Sequence, residues 1–564
     1  MADVAQSFQR VEADDLSNVA QLLQHAASQV PTHLAVAVAG KHKTGDEFHW
    51  DSIDYQQLDQ RADQVARGVL EMGVPVGTRL ALLVKPGIEF VSLVFGLMRA
   101  GMVQVLIDPG MGRSNMIRCL QSTNPEGFVA ISAAQAVRTI LRRRFPNAQY
   151  NVTVGRRWFW SGWTYQRLLQ AGGQSTATLP ATSQDDQAAI IFTTGSTGPP
   201  KGVCYTHRMF INQATQVRDY YDIRPGGVDL SGFPLFALFN IGMGTTTVIP
   251  PMDPTRPADV HPPYIIAAAR RWQATQSFGS PALWNTVSKY CEKHQTKIPT
   301  LKKVFSAGAP VPPHVIRRVK SMIHADGEIH TPYGATEALP IASNYGANIL
   351  EGLNHHAVTS GTCVGKKFSG IDWRIIRIND QPIRDISDTE IIQTGEIGEL
   401  MVTGNVVSRQ YFNHPSANDL HKVQDGERIW HRMGDVGYLD AQQNFWFCGR
   451  KSHRVVQNDR TWFTIPTESI YNQHESIYRS ALVGIGERGR QRPVIIVQPW
   501  PDQFPSSDPE RDKLLAELRD LGEAEGTDIS DLLVIQDMPV DIRHNSKIFR
   551  EKLAVWAQQK LSAR

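Results

Sequence analysis

The sequence predicts an α/β protein with a large N-terminal domain of layered sheets that includes a small β subdomain, and a smaller α+β C-terminal domain. Three observations point there. The chain has 564 residues, more than a single hydrophobic core supports. Hydrophobic residues at 41% and charged residues at 20% are those of a globular protein. The N-terminal part alternates short apolar runs with apolar stripes at helical spacing, the pattern of βαβ units around a parallel sheet.

Tyr55–Met72 carries Leu58, Ala62, Val65, Ala66, Val69 and Leu70 on one helical stripe, ended by Gly73. Leu80–Val84 is a continuous apolar run before Pro86-Gly87 and reads as a buried strand. Ile88–Ala100 is apolar enough for a packed helix, and Met102–Ile107 returns to strand before Asp108-Pro109-Gly110. Phe128–Ser132 and Ala188–Phe192 continue the theme. From Gly361 to Phe447 short strands and turns alternate, which predicts the β subdomain.

Composition excludes several classes. A formal charge of +3 gives no argument for nucleic acid as a partner, because nothing concentrates it into a long basic face. Arg142–Arg144 reads as a solvated helix end. Met1–Asp15 lacks a basic start and an apolar stretch, so no secretory signal is expected. No run reaches the roughly 18 apolar residues of a membrane span. Cys119, Cys204, Cys291, Cys363 and Cys448 are widely spaced with no CxxC pair, which argues against disulfides or zinc and fits the cytoplasm.

The stretch Ile190–Gly202 carries the chemistry. A short apolar strand breaks into Thr193, Thr194, Gly195, Ser196, Thr197 and Gly198, two prolines and Lys201. Glycines turn backbone N–H groups toward an anion, hydroxyls add donors, and a lysine adds a mobile positive charge. A phosphate loop and a flexible surface turn both fit these residue types. The Walker pattern does not, because no Gly-Lys-[Ser/Thr] follows at its spacing.

In full, Thr-Thr-Gly-Ser-Thr-Gly-Pro-Pro-Lys-Gly resembles the phosphate loop of the adenylate-forming superfamily: acyl-CoA synthetases, luciferases and peptide-synthetase adenylation domains. Further segments match in family order. Val304–Pro310 resembles the strand and turn whose Gly308, Ala309 and Pro310 would wall the adenine. Thr331–Glu337 resembles Tyr-Gly-x-Thr-Glu. The resemblance implies that Tyr333 packs on adenine beside Gly334 and Ala335, Thr336 approaches phosphate, and Glu337 holds Mg²⁺. A carboxylate suits a hard cation that bridges phosphates. Asp435 and Arg450 match the family's ribose-contacting aspartate and arginine, with Met433 where threonine is usual. The aromatic run Phe233–Asn240 reads as core by composition, and the resemblance places Phe236 and Phe239, with Gly308, at an acyl pocket. Ala237 stands where the family has histidine. Lys547 takes the place of the C-terminal lysine that stabilises charge during adenylation, with Thr194 and Glu337 as its catalytic companions.

The domains expected are 1–450, with the β subdomain at about 361–447, and a mobile C-terminal domain at 451–564 carrying Lys547. Ser452 stands at the family's hinge position, and Gln457–Thr464 lacks the glycines of the loop that lines the pantetheine tunnel in thioester-forming relatives. A bulky Trp462-Phe463 loop is expected there instead. Within the superfamily the chain is most similar to the olefin-pathway β-lactone synthetases. That likeness implies ATP and Mg²⁺ as cofactors and a 2-alkyl-3-hydroxy acid with long alkyl chains as substrate, and leaves assembly with enzymes of the same pathway open. A fatty acyl-CoA synthetase and a catalytically silent adenylate-binding protein are the alternatives. Lys201, Glu337, Asp435 and Lys547 argue against the silent one.

Overall fold

The computed structural model describes residues 8–44, 47–192, 200–352, 360–540 and 548–562. The helix Tyr55–Glu71 starts at Asp54, whose carboxylate accepts from the Gln57 amide while the Gln57 side chain reaches back to the cap. Its buried side is the stripe seen in the sequence: Leu58, Ala62, Val65, Ala66 and Val69. The helix Ile88–Arg99 is buried on nearly every side, as an apolar helix without a polar face must be. It lies in the largest hydrophobic core together with the stripe residues and Leu238 and Ile241.

Strands Arg79–Leu83, Val103–Ile107, Gly127–Ile131, Tyr150–Val154 and Gln187–Phe192 pair in parallel, and Trp163–Thr164 forms one edge of this seven-stranded sheet. At the other edge Gly202–Thr206 returns antiparallel to Gln187–Phe192, with Phe192 opposite Gly202. A fourteen-stranded sheet holds a second parallel set, including Gln276–Gly279, Lys303–Ser306 and Glu328–Ala335. Thr362–Lys367 extends it by pairing with Ala338–Tyr345. The antiparallel strands Ile371–Ile376, Gly398–Gly404, Arg428–Leu439 and Phe445–Arg450 follow, so the short strands expected between 361 and 447 are present as one continuous ladder.

Beyond Arg450 the chain forms a small α+β unit. Ile477–Ile485 and Arg492–Pro499 are antiparallel, Asp531–Val534 joins in parallel, and the helices Thr464–Tyr471, Asp508–Ala524 and Arg550–Ser562 pack around them. All the cysteines are free, and all but Cys363 are buried. Among the described residues no helix is long and apolar enough to cross a membrane.

Candidate active site

Lys303–Ser306 and Glu328–Ala335 are neighbours in the parallel part of the large sheet. Because the two strands are parallel, the turns that follow them lie on the same side of the sheet, the side on which open α/β sheets bind ligands in a crevice. The first strand runs into Gly308, whose φ of +93° is open to glycine and strained for other residues. Gly308 and Pro310 are exposed and Ala309 is half-buried, which leaves the turn accessible to a flat ring. The second strand ends in Tyr333, Gly334 and Ala335. Thr336 and Glu337 form the turn into Ala338–Tyr345, with Ala335 opposite Ala338.

Asp435 and Arg450 are cross-strand partners on Arg428–Leu439 and Phe445–Arg450. Arg450 Nη1 lies 2.9 Å from Asp435 Oδ1, and the Tyr333 hydroxyl donates to Asp435 Oδ2. Asp435 is 2% exposed. Burial pushes its carboxyl pKa up, and the Arg450 guanidinium opposes that shift. Burial also raises the Tyr333 hydroxyl well above its ordinary value, reinforced by the Asp435 charge. A carboxylate offers about four lone-pair sites, so Asp435 retains acceptor capacity for further hydroxyls. The structure thus brings together three residues singled out separately in the sequence.

Glu337 sits in a second cluster. Its Oε1 accepts from the Tyr411 hydroxyl at 2.7 Å, and its backbone carbonyl accepts from Ser408 N at 2.8 Å. Tyr205 braces the turn by donating to the Thr336 carbonyl at 2.6 Å. Two ammonium groups lie over the Tyr411 ring: Lys201 at 5.1 Å and Lys422 at 5.3 Å from its centroid. Lys422 also donates to the Ser408 carbonyl, and burial pushes its pKa down to about 7 against the pull of Glu337. Burial lowers Lys201 as well.

Lys201 Nζ is 3.2 Å from His421 Nε2, and His421 Nδ1 is 3.3 Å from the Arg432 carbonyl. Burial, then the Lys201 charge, pushes His421 down to about 3. A neutral His421 therefore donates from Nδ1 to the carbonyl and accepts from Lys201 at Nε2. Sequence reading did not single out Tyr411, His421 or Lys422. Their signal is spatial: Tyr411 is 74 positions from Glu337, and His421 is 220 from Lys201.

Thr193, Thr194, Gly195, Ser196, Thr197, Gly198 and Lys547 lie outside the described residues. Phe236 stacks on Phe278 at 4.5 Å, meets Phe239 edge-on at 5.7 Å, and lies 6.1 Å from Phe305, three residues before Gly308. Phe236 is buried and Phe239 half-buried, and Phe239 borders a small apolar void with Leu22, Phe95 and Met98. Ala237 is fully buried, so the spot offers no polar side chain.

The expectation of a bulky loop at Trp462-Phe463 needs correction. Val455–Gln457 and Arg460–Trp462 form a tight hairpin with Gln457 opposite Arg460. Asn458, at φ +53°, supplies the left-handed turn that glycine usually provides. Trp462 is buried and donates from Nε1 to the Thr527 carbonyl at 2.9 Å, so its indole belongs to the C-terminal core. The preceding strand approaches that unit closely, since a Cβ on Gly449 would meet Thr464 Oγ1 at 2.1 Å.

Residues 23–412 match the AMP-binding enzyme family. An olefin beta-lactone synthetase of Xanthomonas campestris pv. campestris is 41% identical over 552 residues, 96% of this chain and 98% of that protein. One of Stenotrophomonas maltophilia is 42% identical over 556 residues, 97% of this chain and 99% of that protein. The crystal structure of an anthranilate CoA ligase in complex with anthranoyl-AMP matches with a TM-score of 0.76 at 18% identity, covering 98% of this chain and 100% of that one, a likeness of fold. The chain belongs to the AMP-binding enzyme family and, within it, to the group of the olefin beta-lactone synthetases.

Proposed function

We propose that this chain is an AMP-forming ligase that converts a 2-alkyl-3-hydroxy acid with long alkyl chains into a β-lactone. In the first step a carboxylate oxygen of the acid attacks the α-phosphorus of ATP, and the bond to the β-phosphate breaks to release pyrophosphate. In the second step the acid's own 3-hydroxyl oxygen attacks the acyl carbonyl and gives up its proton. The bond to the AMP oxygen breaks, leaving lactone and AMP. Tethering nucleophile and carbonyl in one molecule makes this closure entropically favourable. The observation that carries the reading is 41–42% identity over nearly the whole chain to the two olefin beta-lactone synthetases.

In this proposal Thr193–Gly198 and Lys201 hold the phosphates, with Lys201 aimed by His421. Gly308–Pro310 and Tyr333–Ala335 flank the adenine, and Asp435 with Arg450 takes the ribose hydroxyls. Phe236, Phe239 and Gly308 border the acyl chains. The donor set near Glu337 fits Mg²⁺, because the ion asks for one or two carboxylates and takes its remaining oxygens from phosphate and water. Among the described residues no group of three His, Cys, Asp or Glu could hold a metal alone, so Glu337 would share the ion with the nucleotide. Bound there, Mg²⁺ would neutralise charge on the phosphates. The division at Arg450, with 451–564 as a mobile unit carrying Lys547, the cytoplasmic location and the assembly with pathway enzymes belong to the same proposal.

Glu337→Gln is expected to raise the Mg²⁺ concentration needed for half-maximal adenylation, whereas Asp435→Ala weakens ATP binding with little change in Mg²⁺ dependence. Titrating each ligand against pyrophosphate release separates the two, and identical unchanged curves for both variants would displace the nucleotide from this crevice. The product itself is tested by mass spectrometry after incubation with ATP, Mg²⁺ and a long-chain 3-hydroxy acid, with and without CoA. The expected result is lactone in both mixtures, and a bound adenylate from the acid lacking the 3-hydroxyl. Rapid thioester formation from that deoxy acid, with no lactone from the hydroxy acid, would make the chain an acyl-CoA synthetase.

A further inference from the structure

From Gly127 to Gln184 the chain holds seven arginines and no aspartate or glutamate. That stretch carries +7 against +3 for the whole chain, leaving −4 for everything else. The expectation that no region concentrates the charge therefore fails here. The fold gathers the stretch at one edge of the seven-stranded sheet, on Gly127–Ile131, the helix Ser132–Ile140, Tyr150–Val154 and the edge strand Trp163–Thr164. The pieces are tied together. Gln135 Nε2 donates to the carbonyls of Phe128 and Val152 at 3.0 Å each, and Ser132 Oγ donates to the Arg156 carbonyl at 2.5 Å.

The same edge exposes large apolar side chains. Ile140 at 76% and Phe159 at 75% are the two most exposed large hydrophobic residues among those described, with Trp158 at 57% and Val137 at 47% beside them in sequence. Phe159 and Trp158 stand on a buried base, Trp160, at ring distances of 5.2 and 5.5 Å, and Trp160 is fixed by its Nε1 donating to Thr153 Oγ1 at 2.9 Å. Arg142, Arg143, Arg144, Arg156, Arg157 and Arg167 are exposed as well, with Arg156 and Arg157 directly preceding Trp158 in the chain and Arg142–Arg144 following Ile140. The nearest acid before the stretch, Glu126, is already paired with Arg79 at 3.3 Å.

We propose that this edge docks on an anionic lipid bilayer surface, with Trp158 and Phe159 entering the interface and the arginines facing the headgroups. Aromatic rings settle at the level of the headgroups, and clusters of four to eight basic residues bind anionic lipid. Apolar burial and counter-charge are both needed, because either alone gives weak, reversible attachment. Nucleic acid would use the arginines and leave Ile140 and Val137 without a partner. The docking requires no particular reaction at the crevice.

The test is co-sedimentation of the full chain with vesicles of phosphatidylcholine alone or mixed with phosphatidylglycerol. The expected result is binding to the mixed vesicles at low salt, release at high salt, and none to phosphatidylcholine alone. Trp158→Ser with Phe159→Ser, and separately Arg156→Gln with Arg157→Gln, should each weaken vesicle binding by about tenfold. Phe159→Ser alone serves as the variant least able to disturb folding. Adenylation of a water-soluble acid, read as pyrophosphate release, should stay at the wild-type rate in all of them. The proposal is overturned if wild type ignores the mixed vesicles, if the variants sediment like wild type, if duplex DNA binds more tightly than the vesicles, or if the aromatic variant changes only the oligomeric state.

Discussion

Glu399→Ala is expected to destabilise the protein by about 3–5 kcal/mol, the range for leaving a buried charge without its partner. The Glu399 side chain is fully buried, and its Oε2 takes both Arg432 Nη2 at 2.7 Å and Lys451 Nζ at 2.9 Å. Arg432 is as deeply enclosed, and its Nη1 donates to the carbonyls of Gln381 at 2.8 Å and Leu420 at 3.2 Å. Those carbonyls satisfy donors but supply no counter-charge, so removing the carboxylate leaves a buried guanidinium and a nearly buried ammonium without their shared anion. Denaturant unfolding of the variant measures the loss. A loss below about 1 kcal/mol would mean that water reaches the cluster and screens it as at a surface. Glu399→Gln, which keeps an acceptor and drops the charge, should fall between.

The second large effect is kinetic. Lys547→Ala should slow adenylation by roughly 10²–10³-fold while ATP binding is largely kept, as expected when a contact made mainly in the transition state is lost. Lys547 precedes Arg550 by three positions, and Arg550 is anchored by an ion pair to buried Glu468 at 2.5 Å. Glu468 is itself fixed by accepting from Leu482 N at 2.8 Å. Glu468→Ala would release that anchor and should also lower the adenylation rate, by a smaller factor. Single-turnover pyrophosphate release from preformed enzyme–ATP complex checks both. A Lys547→Ala enzyme with wild-type single-turnover rate would remove the lysine from the chemistry.

The fold was legible where local pattern and burial agree. The stripe from Leu58 to Val69 became the core face of Tyr55–Glu71, and the run around Leu80 became a strand buried between neighbours. Both signals are short in range. The candidate crevice was legible by likeness in Tyr333, Glu337, Asp435 and Arg450, although nothing local shows that Tyr333 donates to Asp435 102 positions away. What braces the crevice was not legible. Tyr411 and His421 carry no pattern of their own, and only the strand order brings them to Glu337 and Lys201. Trp462 misled for the opposite reason, since a large indole in a polar stretch reads as an obstruction until its partner Thr527 is in place.

The lopsided charge has a consequence for how the protein behaves in a purification column. Its calculated isoelectric point is about 8.5, where whole-molecule charge vanishes. Arginine does not release its proton anywhere near that pH, so the edge from Arg138 to Arg167 stays cationic while the remainder, already anionic, becomes more so. A sulfonate resin would then hold the molecule in one orientation at a pH where its net charge predicts no retention. Raising the pH elutes such a protein poorly, and added salt elutes it well, because the interaction range shortens to about 3 Å at 1 M.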